Sequence, residues 1–312
     1  MIRCLMLTPE RGVVEGDIKQ INFNKTISVI DVADPTVDEL KEIHHIFSIP
    51  TSDIRHCLDL NESARIRQAK DYALIIYSQA HCNEEAKRCG PIGIFLTKRY
   101  MIIIHTDKLN FFEELQANPQ TAVQMFHAGA DIILLRLFYH LIKGKEKMLE
   151  NIEESLEMIE NDVMTGKDNA RVQQRIFALK NSSLYLKKSV SGNRNVITEL
   201  IKNVPLIREK SLFIDLNIEL MQINETLEIC RERLTTILEV HVSNVSNRIN
   251  AVMKYLTAVT AVLLVPTVIT SAYGMNIKLP FQEHAQAFWI IAGILVISSM
   301  ITLFFFYNKK WI

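Results

Sequence analysis

Between Tyr255 and Tyr307 the chain has only two charged side chains, Lys278 and Glu283. So uncharged a stretch excludes an ordinary solvated helix pair, which would carry a polar face. Proline is also scarce, with Pro205 the only one between Pro119 and Pro266. Few breakers means long helices through the middle of the chain. Net charge is missing altogether: 35 lysines and arginines balance 35 aspartates and glutamates, which argues against a nucleic-acid partner. Five scattered cysteines, Cys4, Cys57, Cys82, Cys89 and Cys230, are an odd number and exclude a disulfide framework. They read as reduced thiols in a cytosolic body. The Met1–Pro9 start is interrupted by Glu10 and Arg11 too soon for a signal peptide. Phosphate-cradling glycine loops, acid/base pairs and nucleophile elbows are lacking too, so the chain does not read as an enzyme.

What is present divides into three parts. Residues 1–120 read as a cytoplasmic α/β domain. Strands are expected at Ile2–Leu7, Gln20–Phe23, Ser28–Val32, Tyr72–Ser78, Ile92–Thr97 and Tyr100–His105. Thr36, ahead of Asp38 and Glu39, can cap a helix through Phe47. Thr51 or Ser52 can cap a short helix near Ile54–Leu58, and Lys108–Leu115 suggests another. His81, Cys82 and Cys89 read as parts of a polar hairpin between strands rather than a zinc-site fragment.

Residues 121–255 read as a helical hairpin and a stalk helix. Ile133, Leu137, Leu141, Met148, Ile152, Leu156 and Ile159 recur at helical spacing, and Gly166 marks a tip. Val172, Ile176, Leu179, Leu184, Leu186 and Val190 carry the return helix. Seven acidic side chains lie from Glu146 to Asp162, either a solvated face or an electrostatic lever for cations. A third helical pattern begins near Pro205. If it continues to Tyr273 it is about 67 residues and roughly 100 Å long. Running from polar into apolar sequence, such a helix must leave the protein body and enter a membrane.

Residues 256–312 read as the transmembrane part: a span at 256–273, an outer loop at 274–284 and a second span at 285–307. Each has about the length of a bilayer core of roughly 30 Å. Tyr255, Trp289 and Tyr307 lie near the ends, where aromatic side chains favour the interface. Arg248 and Lys254 precede the first span, and Lys309 and Lys310 follow the second. The positive-inside rule therefore puts both termini in the cytoplasm of a multi-pass cell-membrane protein.

The first span carries a polar stripe. Steps of three and four residues visit Asn250, Met253, Thr257, Thr260, Leu264, Thr267 and Ser271. Upstream the same stripe passes Ser246, Ser243 and Glu239, without a lysine. Hydroxyls of this kind serve helix packing, or they line a pore that favours cations. One such helix cannot enclose a pore, so the second reading demands an oligomer. Gly274-Met275-Asn276 stands at the outer end of the stripe.

Tyr273-Gly274-Met275-Asn276, set between a long helix with its span and a second C-terminal span, resembles the CorA family of divalent-cation channels, nearest its archaeal-type members. The resemblance covers essentially the whole chain. It implies an α+β membrane protein that assembles as a funnel-shaped homopentamer in the lipid bilayer. It implies a selectivity filter at Gly274, Met275 and Asn276, with the Gly274 carbonyl and the Asn276 side chain binding hydrated Mg2+. It implies a polar ring at Asn250, a hydrophobic gate at Leu256 and Leu264 near Met253, and an inner acidic ring at Glu239. Cytosolic Mg2+ would act as a regulator at Asp215 and Asp59, with Glu62 and Asp53 as rivals of Asp59. The implied function is passive, potential-driven Mg2+ uptake with Co2+ and Ni2+ also carried. A zinc transporter of the same superfamily is the alternative, followed by a membrane-anchored sensor without transport. One departure stands out. Many members follow the tripeptide with Met-Pro-Glu-Leu, whereas this chain has Ile277-Lys278-Leu279-Pro280-Phe281-Gln282-Glu283.

Overall fold

The computed structural model describes residues 2–8, 12–16, 18, 27–80, 89–165, 170–276 and 286–311. The expected strand at Gln20–Phe23, His81 and Cys82, the Gly166 tip and the outer loop from Ile277 lie outside those residues. The chain divides into two compact units, Met1–Thr236 and Ile237–Ile312.

The first unit is built on a mixed sheet of β1 (Ile2–Thr8), β2 (Gly12–Glu15), β3 (Ser28–Ala33), β4 (Arg65–Gln68), β5 (Ala73–Ala80), β6 (Cys89–Leu96) and β7 (Tyr100–His105). Their order across the sheet is β2-β1-β3-β7-β6-β5-β4. Among the described strands only β3 and β7 pair in parallel, with Ile30 opposite Ile102. The central strands are apolar at nearly every position because both sheet faces are covered. One face holds Ile30, Val32, Leu74, Ile76, Phe95, Ile102 and Ile104 against Ile43, Ile49, Ile54 and Cys57. The last four belong to α1 (Val37–Phe47), α2 (Thr51–His56) and the adjoining turns. On the other face, Tyr77 stacks on Phe138 of α5 (Ala130–Met164), ring centroids 4.3 Å apart.

Local chemistry sets the helix ends. Thr36 closes a capping box with Glu39, as the sequence suggests. α2 departs from expectation: neither Thr51 nor Ser52 caps it. Instead the Pro50 carbonyl accepts the Asp53 and Ile54 amides at 3.0 and 3.3 Å. α3 (Phe111–Ala117) and α4 (Pro119–Ala128) follow, and Gly129 at φ +132° breaks the chain before α5. That backbone conformation is one that L side chains rarely adopt. α6 (Ala170–Asn203) returns, and α7 runs unbroken from Lys210 to Tyr273.

α7 starts later than the sequence suggests because Asp131 competes for the chain before it. The Arg208 amide donates to Asp131 Oδ2 at 3.1 Å, and its guanidinium NH2 donates to Oδ1 at 2.7 Å. Burial alone would raise the Asp131 carboxyl, but the Arg208 donors hold it below its ordinary range. Phe213, Leu216, Leu220, Ile223, Leu227, Cys230 and Leu234 then bury one edge of α7 at three- and four-residue spacing. Arg233 to Glu160 at 2.7 Å ties the same stretch to α5. Cys57 and Cys230 are buried thiols outside any disulfide.

The second unit holds the rest of α7 and α8 (Ala287–Asn308). Both helices are long and apolar enough to cross a membrane. α8 has 22 residues, about 33 Å of helix against a hydrocarbon core of roughly 30 Å. Its less exposed positions, Ile291, Ala292, Leu295, Ser298, Ser299 and Thr302, fall on one face. Those of α7, Ala258, Val262, Ile269 and Tyr273, do the same. Such a pattern is that of two helices laid against one another.

Candidate cation pathway

The stripe of α7 lies on its open side. Asn250, Thr257, Thr260, Thr267 and Ser271 are exposed in the single chain, as are Glu239, Met253, Leu256 and Leu264. Ala258, between them on the other side, is fully buried. Leu256 and Leu264 are each more than half exposed, an arrangement that water would penalise and that a lipid or a second copy would cover.

The hydroxyls are not free donors. Thr257 donates to the Met253 carbonyl at 2.8 Å, Thr260 to that of Leu256 at 2.8 Å and Thr267 to that of Leu263 at 2.7 Å. Each threonine has one proton, and the helix takes it. What each oxygen then turns outward is a lone pair. At these three positions the exposed stripe thus presents neutral acceptors, suited to the water shell of a cation. On α8, Ser298 and Thr302 bond back to Leu295 and Ser298 at 2.9 Å each, on the half-buried face.

The tripeptide sits where α7 stops. The Gly274 amide donates to the Thr270 and Ser271 carbonyls at 2.9 and 3.2 Å, and the Met275 amide to that of Ala272 at 3.2 Å. Carbonyls beyond these have no helical donor ahead of them. They form the negative end of the helix dipole, which favours a cation. A Cβ on Gly274 would meet the Thr270 and Ser271 oxygens at 3.4 and 3.5 Å, ordinary contact. Packing within one chain therefore does not demand glycine here. Met275 and Asn276 are exposed.

The carboxylates assigned to regulation are placed differently. Asp59 lies exposed in the turn after α2, its Oδ1 accepting the Asn61 amide at 3.0 Å. Its rivals are already held. Asp53 is fully buried and accepts from Arg67 at 2.7 Å and from the Tyr72 hydroxyl at 2.6 Å. Glu62 pairs with His56 at 2.6 Å and Arg65 at 2.9 Å. The Asp53 neighbourhood could not be foreseen, because β4 and the turn before β5 bring Arg67 and Tyr72 to it only after folding. Asp215 is exposed on α7. Burial, and then the charges of Glu146 and Asp215, push the Glu219 carboxyl above its ordinary range. Of the acidic run on α5, Glu160 and Asp162 pair with Arg233 and Arg175, while Glu146, Glu150, Glu154 and Glu157 are exposed. Among the described residues no group of three or more His, Cys, Asp or Glu side chains could hold a metal ion.

The CorA-like Mg2+ transporter family model matches residues 24–310. The chain belongs to that family. Over 319 aligned residues it is 29% identical to the cobalt/magnesium transport protein CorA of Methanocaldococcus jannaschii, with all of both chains covered. The complete structure of the CorA magnesium transporter from that organism superposes with a TM-score of 0.87 at 27% identity, covering 100% of this chain and 99% of the other. The cytoplasmic domain of ZntB from Vibrio parahaemolyticus matches 78% of this chain and 98% of its own at a TM-score of 0.65. At 14% identity that likeness shows a shared fold alone. In this CorA-family chain, the stretch after Asn276 that departs from the usual loop lies outside the described residues.

Proposed function

We propose that this chain forms a passive Mg2+ channel in the cell membrane, driven inward by the membrane potential, with both termini cytoplasmic. Co2+ transport comes with it, as the name of the Methanocaldococcus relative suggests, and Ni2+ too, since a filter that reads hydrated size discriminates weakly. The observation that carries the reading is the exposed row of neutral acceptors on α7, ending at Gly274-Met275-Asn276. A membrane anchor would have no use for it.

One helix cannot enclose a path, so the functional unit is an oligomer, and the CorA resemblance implies a homopentamer with a funnel outline. A stripe stepping at heptad spacing drifts by about 20° per heptad on a straight helix. From Glu239 to Ser271 that amounts to roughly a quarter turn. Tilting or supercoiling several copies about one axis removes the drift and lines the residues up. The three functional parts are then the sensing body 1–120, the hairpin and stalk 121–255 and the pore 256–312.

Mg2+ gives up its water reluctantly. A ring of Gly274 carbonyls and Asn276 side chains holds the hydrated ion through those waters, and its neutrality lets the ion leave again. Met275 packs, since a thioether is a poor ligand for a hard cation. Below the filter, Thr267, Thr260, Thr257 and Asn250 offer acceptors, Leu264, Leu256 and Met253 close the path when it narrows, and Glu239 draws cations at the inner end. A divalent ion gains about 4.6 kcal/mol per 100 mV, twice the unit-charge value.

Gating follows from carboxylates. Asp59 of one subunit and Asp215 of the next bind cytosolic Mg2+ and hold the closed state. When Mg2+ falls, the repulsion already felt at Glu219 is no longer offset, and the population shifts toward open. Flux in liposomes under an imposed inside-negative potential tests the reading: Mg2+ enters intact pentamers, and its failure to enter refutes it. Zn2+ entry without Mg2+ entry would instead favour the zinc reading.

A further inference from the structure

One end of the sheet holds a cleft of about 670 Å3, walled by the Gln68–Ala73 turn, the Thr97–Tyr100 turn and the α6–α7 connection at Val204, Pro205 and Leu206. Its size suits a ligand as large as a nucleotide. A smaller hollow of about 310 Å3 adjoins it, sharing Thr97, Lys98, Pro205 and Leu206.

The charge of the cleft is one-sided. Lys70, Lys98 and Arg99 line it against a single acid, Asp71. Several cations of this unit are paired, among them Arg3 with Asp31, Arg67 with Asp53, Arg136 with Glu114 and Arg208 with Asp131. Lys70 and Lys98 are exposed and form no such pair with any described residue. Exposed lysines on turns are common on their own. Two from different turns, facing one recess with an apolar wall of Tyr100, Pro205 and Leu206, are a different matter. The Tyr72 hydroxyl is taken by Asp53 at 2.6 Å, so that ring offers only its face.

We propose that this cleft binds a nucleoside phosphate, its phosphates between Lys70 and Lys98 and its base against Tyr100 and Pro205. Ammonium groups hold phosphate oxygens as point charges, and a flat ring rests on tyrosine and proline. The ligand would touch the connection from which α7 starts at Lys210, upstream of every residue of the cation stripe.

The test is equilibrium binding of radiolabelled ATP to the full-length protein in detergent, without divalent cations, beside inorganic phosphate as competitor. Saturable binding is expected, weakened about tenfold or more in the K70Q/K98Q double variant. Its salt dependence should fall in the same variant, and D71N should bind more tightly. The melting temperature of the unliganded variants should match the parent. Absence of saturable binding, or binding that K70Q/K98Q leaves unchanged, overturns the proposal. Inorganic phosphate competing as well as ATP overturns the nucleoside part, because it leaves the base without a contact. Mg2+ flux is not read in this experiment, so its outcome is independent of the transport reading.

Discussion

Gly93 on β6 lies directly beneath Cys57: a Cβ at Gly93 would stand 2.0 Å from the Cys57 Sγ and 3.1 Å from its Cα. That approach lets α2 and the turn that follows settle on the sheet, and the turn carries Asp59. The Cys57 thiol is pushed up above its ordinary range by burial, and it donates to the Asp53 carbonyl at 3.3 Å. A packing contact thereby fixes where an exposed carboxylate stands.

Gly93→Ala should therefore destabilise the body by about 1–3 kcal/mol, the usual cost of overpacking, since backbone as well as side chain must move. Thermal unfolding of the full chain in detergent checks it. A melting temperature equal to the parent's would mean that α2 is not held this closely.

Asn276→Ala should abolish Mg2+ uptake while leaving the pentamer intact on size-exclusion chromatography. The alanine removes the side-chain oxygen from the proposed ring without touching the helix, whose last amides bond to Thr270, Ser271 and Ala272. Parent-like flux in this variant would refute the filter assignment.

Asp215→Ala and Asp53→Ala should fail in different ways. The first should weaken protection by Mg2+ against proteolysis and leave stability nearly unchanged, because Asp215 is exposed. The second should lower stability by about 1.5–3 kcal/mol, because Arg67 and Tyr72 lose a buried carboxylate acceptor. Mg2+ protection unchanged in Asp215→Ala would count against the regulatory site.

Lys145 gives a pH signature. Its ammonium is fully buried, donates to the Ser78 carbonyl, lies 5.5 Å from the Tyr77 ring centre, and is lowered by burial from 10.5 to about 8. The folded state thus releases this proton before the unfolded chain does. Below pH 8 the cost of the buried charge is fully present. Between about pH 8 and 10.5 the unfolded chain binds more protons, so stability rises with pH, by about 3 kcal/mol in all. Lys145→Met should remove that rise. It should still fold, since Asn193 continues to donate to the Ser78 carbonyl at 2.8 Å. Identical pH profiles of melting temperature for the two proteins would contradict the assignment.

Long-period features were legible in the sequence and short-range rivalries were not. The central strands β3, β5, β6 and β7 announce themselves by apolar runs. β2 (Gly12–Glu15) and β4 (Arg65–Gln68) do not, being four-residue edge strands. In β4, Arg-Ile-Arg-Gln has one apolar residue, and its place comes from pairing with β5. α4 and α5 part at Gly129, and α7 begins at Lys210 rather than near Pro205. Both breaks lie beside Asp131 and Arg208, whose bond joins residues 77 apart in the chain. No local pattern reports such a contact.

The sequence by itself determined the two apolar spans, the stripe from Glu239 to Ser271 and the tripeptide at its end, because helical periodicity and charge depletion are properties of the order of residues. Tertiary structure decided which carboxylates remain available. Asp53, Asp59 and Glu62 are equivalent on paper, and folding buries the first against Arg67 and Tyr72 and pairs the third with His56 and Arg65. It also showed that the stripe's threonines give their protons to their own helix. The physical reason is the same in both cases: a polar group's function depends on which of its hydrogen-bonding positions the fold has already used.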